Sequence, residues 1–134
     1  MKNKKKFYWG TVYVSPTTIG GAKIKVPALI YGDSGLCINQ FDPYLPKGKF
    51  ISVTHIATGC RIGYGHYTEQ SAKWFCVAVA ELFDWHLIKE PADVSNLSHL
   101  VNELALLREL VTKYGSKWRT ALVVHKLTNG GLTL

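Results

Sequence analysis

One change of periodicity, near Tyr67 and Thr68, constrains the fold of this chain more than any other feature. Before it, short runs alternate between apolar and polar residues and are separated by turn residues, a pattern typical of β-strands. After it, apolar residues recur every three or four positions, as in amphipathic helices. Strands that precede helices in this way indicate an α+β domain, with helices on one face of an antiparallel sheet.

The N-terminal half is expected to form about five strands. They are Phe7–Ser15, Lys23–Tyr31, Leu36–Phe41, Phe50–Ile56 and Arg61–His66. Pro27 should place the second run at an edge of the sheet or at a bulge, because proline cannot donate to a β-ladder. The face of the sheet that the helices leave uncovered is expected to meet solvent or a partner.

The C-terminal half is expected to form two or three helices packed on this sheet. Thr68 suits an N-cap, and the mostly apolar run Ala72–Trp85 predicts a central, buried helix. An apolar stripe from Leu97 to Tyr114 predicts a second helix, opening near Asn96 and ending at Gly115. Two copies of the chain could also pair through this stripe.

The segment Ser116–Lys126 fits two structures. Ser116 as an N-cap and Gly130 beyond the end favour a third helix, whereas Val123 and Val124 would suit a strand. We expect the helix.

The composition is that of one globular domain, with 134 residues, 47% of them hydrophobic and 19% charged. We expect residues 1–6 to be a flexible basic tail and residues 7–134 a single domain. No apolar run approaches the length of a membrane span, and the lysine-rich start does not resemble a signal peptide, so we expect a cytoplasmic protein with no membrane partner. Cys37, Cys60 and Cys76 cannot all pair internally, which favours free thiols in a reducing compartment.

Charge is distributed unevenly along the chain. Met1–Tyr67 contains nine Lys and Arg against two Asp, whereas Thr68–Leu134 contains seven basic and seven acidic residues. The whole excess of +7 therefore lies in the strand-forming half. Such asymmetry favours an anionic partner, namely nucleic acid, a nucleoprotein or an acidic protein surface.

Aromatic residues are interleaved with these cations, as in surfaces that neutralise phosphates and stack on bases. The residues expected to contact the partner are Lys23, Lys25, Tyr31, Lys47, Lys49, Arg61 and Tyr64. In the first strand, the period of two puts Phe7, Trp9 and Tyr13 on one face and Tyr8, Val12 and Val14 on the other, so that at most one set is exposed.

The segment Ser52–Leu82 resembles a strand–turn–strand–helix unit of small accessory proteins of phages and plasmids, anti-defence inhibitors among them. The resemblance rests on V-T-H-x-x-T-G-x-x-I, followed by a helix with spaced alanines. It implies a short, single-domain, non-enzymatic protein from a mobile genetic element, and it assigns no catalytic or binding residue.

The sequence contains weaker candidates for other chemistry. His55, Cys60 and His66 lie in one hairpin, and with Cys37 they would supply the four ligands of a zinc site, but not at the usual ligand spacings. Cys60 beside Arg61 is the best candidate for a reactive thiol. A third alternative is a binder of small anionic ligands such as signalling nucleotides.

We therefore predict a non-enzymatic basic binding module without cofactor or catalytic residues. It would act as an accessory factor or inhibitor that engages a nucleic acid or a nucleoprotein machine.

Overall fold

In a computed structural model, the chain forms a five-stranded antiparallel sheet followed by helices, which confirms the predicted α+β class. The structure describes residues 6–14, 23–40, 51–66, 68–90, 93 and 97–128. The strands are β1 Phe7–Val14, β2 Ile24–Tyr31, β3 Leu36–Gln40, β4 Ile51–His55 and β5 Cys60–His66. They are hydrogen-bonded in sequence order, so that β1 and β5 are the two edges of the sheet. The expected flexible tail lies almost wholly outside the described residues.

Two tight turns, between β2 and β3 and between β4 and β5, lie at the end of the sheet that the segment after α1 contacts. Gly35 in the β2–β3 turn and Gly59 in the β4–β5 turn have positive φ angles of 83° and 74°, which L-residues with side chains rarely adopt. The Ser34 hydroxyl donates to the Tyr31 carbonyl at 2.7 Å and accepts from the Leu36 N–H at 3.1 Å. These bonds stabilise the turn locally.

The helices in the described part are α1 Glu69–Leu82, α2 Val101–Tyr114 and α3 Trp118–Thr128. The Thr68 hydroxyl accepts from the Ser71 N–H at 3.0 Å, as expected for an N-cap. Gly115 ends α2, which confirms the predicted stop. The segment after it is a helix, as expected, although Ser116 lies within a short 3-10 turn and is not an isolated cap.

Pro27 lies in an inner strand, which differs from the expectation of an edge strand or a bulge. β2 is second in the sheet and pairs with β1 over all eight residues, where Pro27 is opposite Thr11. The ladder between β2 and β3 covers only Leu29 and Ile30 on the β2 side. Pro27 therefore lies outside the positions at which β2 and β3 pair, where a residue that cannot donate is tolerated.

The main core lies between the sheet and the helices. Its sheet residues include Leu29, Leu36, Ile38, Val53 and Ile62, and its helix residues include Phe75, Val79, Leu107, Val111 and Trp118. α1 packs on β3, β4 and β5, whereas α2 packs on α1, and α3 on α2. The helix layer thus covers the β3–β5 side of the sheet.

Much of the opposite face of the sheet is also buried, which differs from the expectation that it is free, although Tyr8 on that face is 37% exposed. Val12, Val14, Val26, Ala28 and Cys37 form a second buried cluster on that face. Thr54 lies there too and donates its hydroxyl hydrogen to Asn39 Oδ1 at 2.6 Å. Because these side chains have little contact with solvent, this part of the face offers no surface for a partner.

A short 3-10 turn after α1, Trp85–Leu87, attaches the helix layer to the sheet. The buried Trp85 ring donates from Nε1 to the Val79 carbonyl at 2.8 Å, and the Trp85 carbonyl accepts from His55 at 2.8 Å. His86 contacts the Asp33 carbonyl in the β2–β3 turn through Nε2. No helix in the described part is long and apolar enough to cross a membrane.

Candidate functional site

The structure separates the residues that the sequence grouped as a binding surface. Lys23 and Lys25 are exposed at the start of β2, as a docking role requires. Arg61 is half-buried on β5, the opposite edge of the sheet, and its register partner Thr54 belongs to the face away from the helices. Lys47, Lys49 and the side chain of Tyr64 lie outside the described residues.

Tyr31 does not belong to any binding surface, contrary to the prediction. Its side chain is 8% exposed and lies in the main core, with its ring centroid 4.9 Å from that of Phe7. Burial raises the pKa of the Tyr31 phenol; nearby Glu81 and Cys76 raise it further, and Arg119 opposes the shift. The position faces the helices because it alternates in phase with Leu29, so a partner cannot reach it.

Two other aromatic side chains occupy the exposed surface. The Trp9 side chain is 69% exposed and that of Tyr13 is 57% exposed. They lie four residues apart on β1, hence on the same face and about 13 Å apart along the strand. On the other face of the same strand, Val12 and Val14 are buried. The alternation of the strand places the two exposed rings on one face and the valines on the other. The expectation that only one set is exposed is wrong at two positions, because Tyr8, on the valine face, is 37% exposed and Phe7, on the face of the rings, packs against the main core.

These rings lie next to the two exposed lysines. In the β1–β2 ladder, Tyr13 is directly opposite Lys25, and side chains at such positions are on the same face and in contact range. Lys23 directly precedes β2. Between the two rings on β1 lies the exposed Thr11, and its register partner on β2 is the exposed Pro27. We call Trp9, Tyr13, Lys23 and Lys25 the aromatic–basic strip.

The strip is exposed because of where the helices pack. α1 packs mainly on β3, β4 and β5, and it contacts β1 at Phe7, where the Lys73 ammonium lies 5.7 Å from the ring centroid. The part of the β1–β2 hairpin beyond Phe7 therefore extends past the helix layer. In this part of the hairpin, the face of the sheet that is directed towards the helices is exposed to solvent. Elsewhere in the sheet, side chains on the same face are buried in the main core.

The two strands that carry the strip contain no acidic residue. Neither residues 6–14 nor residues 23–31 include an Asp or Glu, and Lys6 precedes β1. Within the part of the chain that the structure describes, the ion pairs are Lys73–Glu69 and Arg119–Glu81, and neither includes a lysine of the strip. Both lysines are thus available to an external anion.

In the hairpin proposed from the sequence as a metal or thiol site, His55 has a structural role. His55 is 1% exposed, and its Nδ1 and Nε2 lie 2.8 Å from the Thr58 hydroxyl and from the Trp85 carbonyl. Cys60 is its register partner, whereas Cys37 lies on the opposite face of the sheet, so the two cysteines do not converge on it. The side chain of His66 lies outside the described residues, which contain no cluster of three potential metal ligands.

Burial also disfavours thiolate chemistry at the two inner cysteines. Desolvation raises the pKa of the Cys37 thiol to about 12 and that of Cys76 well above its usual value. A thiol must ionise to act as a nucleophile. Cys37 and Cys76 are therefore small apolar core residues.

The alternation along β1 is the sequence signal that could have identified the strip. The period of two separated Trp9 and Tyr13 from the valines of the same strand, and valines are the better core residues. The sequence could not show that α1 packs on β3, β4 and β5 and leaves this part of the β1–β2 hairpin uncovered. A scan against protein-family models found no matching family, and searches of curated proteins and of solved structures found no match.

Proposed function

We propose that this protein is a non-enzymatic binding module that holds a nucleic acid on the aromatic–basic strip. The observation that carries the proposal is the exposure of Trp9 and Tyr13 on one face, with Lys25 directly opposite Tyr13. Large rings are usually at least half removed from water, so two such rings held in solvent on a rigid strand favour a ligand that covers them.

The chemistry of the strip favours nucleic acid over an acidic protein surface. Lysines neutralise phosphates, and tryptophan and tyrosine rings stack on bases regardless of their sequence. Both kinds of group occur here within one short hairpin. A protein interface can also bury tyrosine and tryptophan rings, but a nucleic acid offers a phosphate to each lysine and a base face to each ring in one ligand.

A single strand suits the geometry better than a duplex. Bases in a duplex are stacked on one another and do not present their faces to a sheet, whereas unpaired bases can be spread over exposed rings. Trp9 and Tyr13 are too far apart along β1 to stack on each other, so each ring keeps a face for one base. The absence of a base-reading motif in the sequence favours binding with little sequence preference.

This proposal retains the accessory role suggested by the resemblance to phage and plasmid proteins. A small module that covers single-stranded nucleic acid would act either by protecting that strand or by occupying the strand-binding site of a nucleoprotein machine. Neither action needs a catalytic residue.

The test measures binding of the full chain to a fluorescently labelled single-stranded oligonucleotide by fluorescence anisotropy. We expect the double variant Trp9→Ala/Tyr13→Ala to bind at least about tenfold more weakly, because each base–aromatic stack contributes about 1–3 kcal/mol. The matched control is Tyr114→Ala, which removes a 48% exposed ring from α2, and it should bind like the wild type.

A duplex of the same length serves as the second ligand. Weaker binding of the duplex than of the single strand supports stacking as the mode of recognition. Absence of binding by the wild type, or equal losses in the double variant and in the Tyr114 control, would contradict the proposal and favour a protein partner.

A further inference from the structure

β1 is an edge strand whose own residues and register, as the structure describes them, carry none of the usual protection against pairing. Its eight residues, Phe7–Val14, include no charged residue and no proline. Its register with β2 is continuous from end to end, without a bulge. Proteins normally protect such an edge with lysines, proline or a bulge, because a regular uncharged edge can pair with another chain.

The opposite edge of the same sheet shows this protection. β5 carries Arg61, and its pairing with β4 is irregular between Ile51 and Val53. The two edge strands of the same sheet therefore differ in their protection against pairing. Only β1, among the strands that the structure describes, combines an edge position with a regular and uncharged register.

We propose that β1 pairs antiparallel with β1 of a second copy of the chain, joining two sheets into one of ten strands. The proposal rests on the edge of β1 and is independent of nucleic-acid binding. A closed twofold pair uses the edge of each copy once and leaves neither free. It also explains why the edge needs no lysine within its length.

The two faces of β1 determine the orientation of the pair. One face carries exposed aromatic rings and the other carries buried valines, so the copies must meet with like faces on the same side. This places the twofold axis perpendicular to the sheet, and both helix layers then lie on the same side.

The aromatic residues determine the register. With Thr11 opposite Thr11 of the second copy, Trp9 lies opposite Tyr13 of that copy, and the same pair occurs twice. Cross-strand aromatic pairs are among the more stabilising ones. The neighbouring register, centred on Gly10, would instead place Tyr13 opposite Phe7, whose ring already packs against Tyr31.

No like charges meet in the Thr11-centred register, because the paired segment is uncharged. Each copy gains backbone hydrogen bonds along its edge and partial cover for two exposed rings. One strand and two rings make a smaller interface than the roughly 800 Å² per partner of a standard complex, so we expect a dimer that dissociates on dilution. The two aromatic–basic strips would then form one continuous surface.

The test is sedimentation velocity on the full chain over about 5–200 μM. We expect a shift from monomer to dimer with concentration. Thr11→Lys places two ammonium groups at the twofold axis and should weaken the dimer by up to about fivefold, because like charges directly opposite each other destabilise a strand pair. Thr112→Lys, the same change at an exposed position on α2, should leave it unchanged.

A crosslink tests the register without adding a charge. In a Cys60→Ser background, Thr11→Cys should form a disulfide between copies on mild oxidation, because directly opposite positions bring the Cα atoms within the required 4.4–6.8 Å. Thr112→Cys should not. A monomer at every concentration, or a dimer that Thr11→Lys does not weaken, would overturn the proposal; the second result would assign the dimer to another surface.

Discussion

At the residue scale, His55 shows how a histidine that suggests chemistry can have a structural role. Its Nε2–H donates to the Trp85 carbonyl, and the Thr58 hydroxyl donates to its Nδ1. The same hydroxyl accepts from the Cys60 N–H at 3.2 Å. The neutral ring therefore joins β4, the β4–β5 turn and the segment after α1, and neither ring nitrogen is directed at solvent.

This environment predicts that stability depends on pH through His55. Burial lowers the pKa of His55; the hydrogen bond to the Trp85 carbonyl partly opposes this effect, and His86 adds to it. The unfolded chain, with a histidine pKa near 6.5, then binds more protons than the folded chain below that pH. The stabilisation due to the neutral ring is complete above about pH 6.5. It is lost as the pH falls from there through the lower pKa of His55 in the folded chain.

Urea unfolding of the wild type and of His55→Gln at pH 7.5 and at pH 5 measures the effect. The variant should lose about 1–3 kcal/mol at the higher pH, because buried polar partners lose a hydrogen bond. It should also lose stability less steeply on acidification, since glutamine does not titrate. His99→Gln, at an exposed position, is the control and should keep the wild-type pH dependence. If His55→Gln kept the full pH dependence of the wild type, groups other than His55 would cause that dependence.

At the element scale, the corner between α2 and α3 depends on one glycine. Gly115 has φ 57° and ψ −126°, a conformation accessible almost only to glycine. A Cβ atom there would lie 3.0 Å from Cζ3 of Trp74, which belongs to α1. The corner thus combines an unusual backbone conformation with close contact to the central helix.

Gly115→Ala should accordingly destabilise the protein by about 1–3 kcal/mol, through backbone strain and displacement of the Trp74 ring. The measurement is the midpoint of urea unfolding, compared at equal dependence of the free energy of unfolding on urea. Ser116→Ala, at the next and exposed position, is the control, and its stability should lie within about 0.5 kcal/mol of that of the wild type. Equal midpoints for Gly115→Ala and wild type would show that α3 repositions without cost.

At the scale of the whole molecule, periodicity predicted the elements but not what covers them. Five strands and the helix after Gly115 followed from local patterns, because strand and helix periods depend only on neighbouring residues. Which of two rings on the same face of the sheet is buried depends on which part of the sheet α1 covers. Tyr31 lies beneath the helix layer and Trp9 lies beyond it, although both alternate in the same phase.

The charge asymmetry gives a prediction for the molecule as a whole. If the excess positive charge acts locally at the strip, neutralising Lys23 and Lys25 should reduce both the affinity for single-stranded nucleic acid and its dependence on salt. Each phosphate contact contributes about 0.7 to the slope of log K against log salt for single strands, so the slope should decrease by about 1.4. Anisotropy titrations of Lys23→Gln/Lys25→Gln at several salt concentrations measure both quantities.

The matched control is Lys113→Gln/Lys126→Gln, which removes the same charge from exposed positions on α2 and α3. It should keep the wild-type slope, because those helices lie away from the strip and beyond the range of direct phosphate contact. If both double variants reduce the slope equally, the binding depends on net charge and not on a defined surface. A decrease confined to the Lys23/Lys25 variant, together with a loss on removing Trp9 and Tyr13, assigns phosphate and base contacts to the same hairpin.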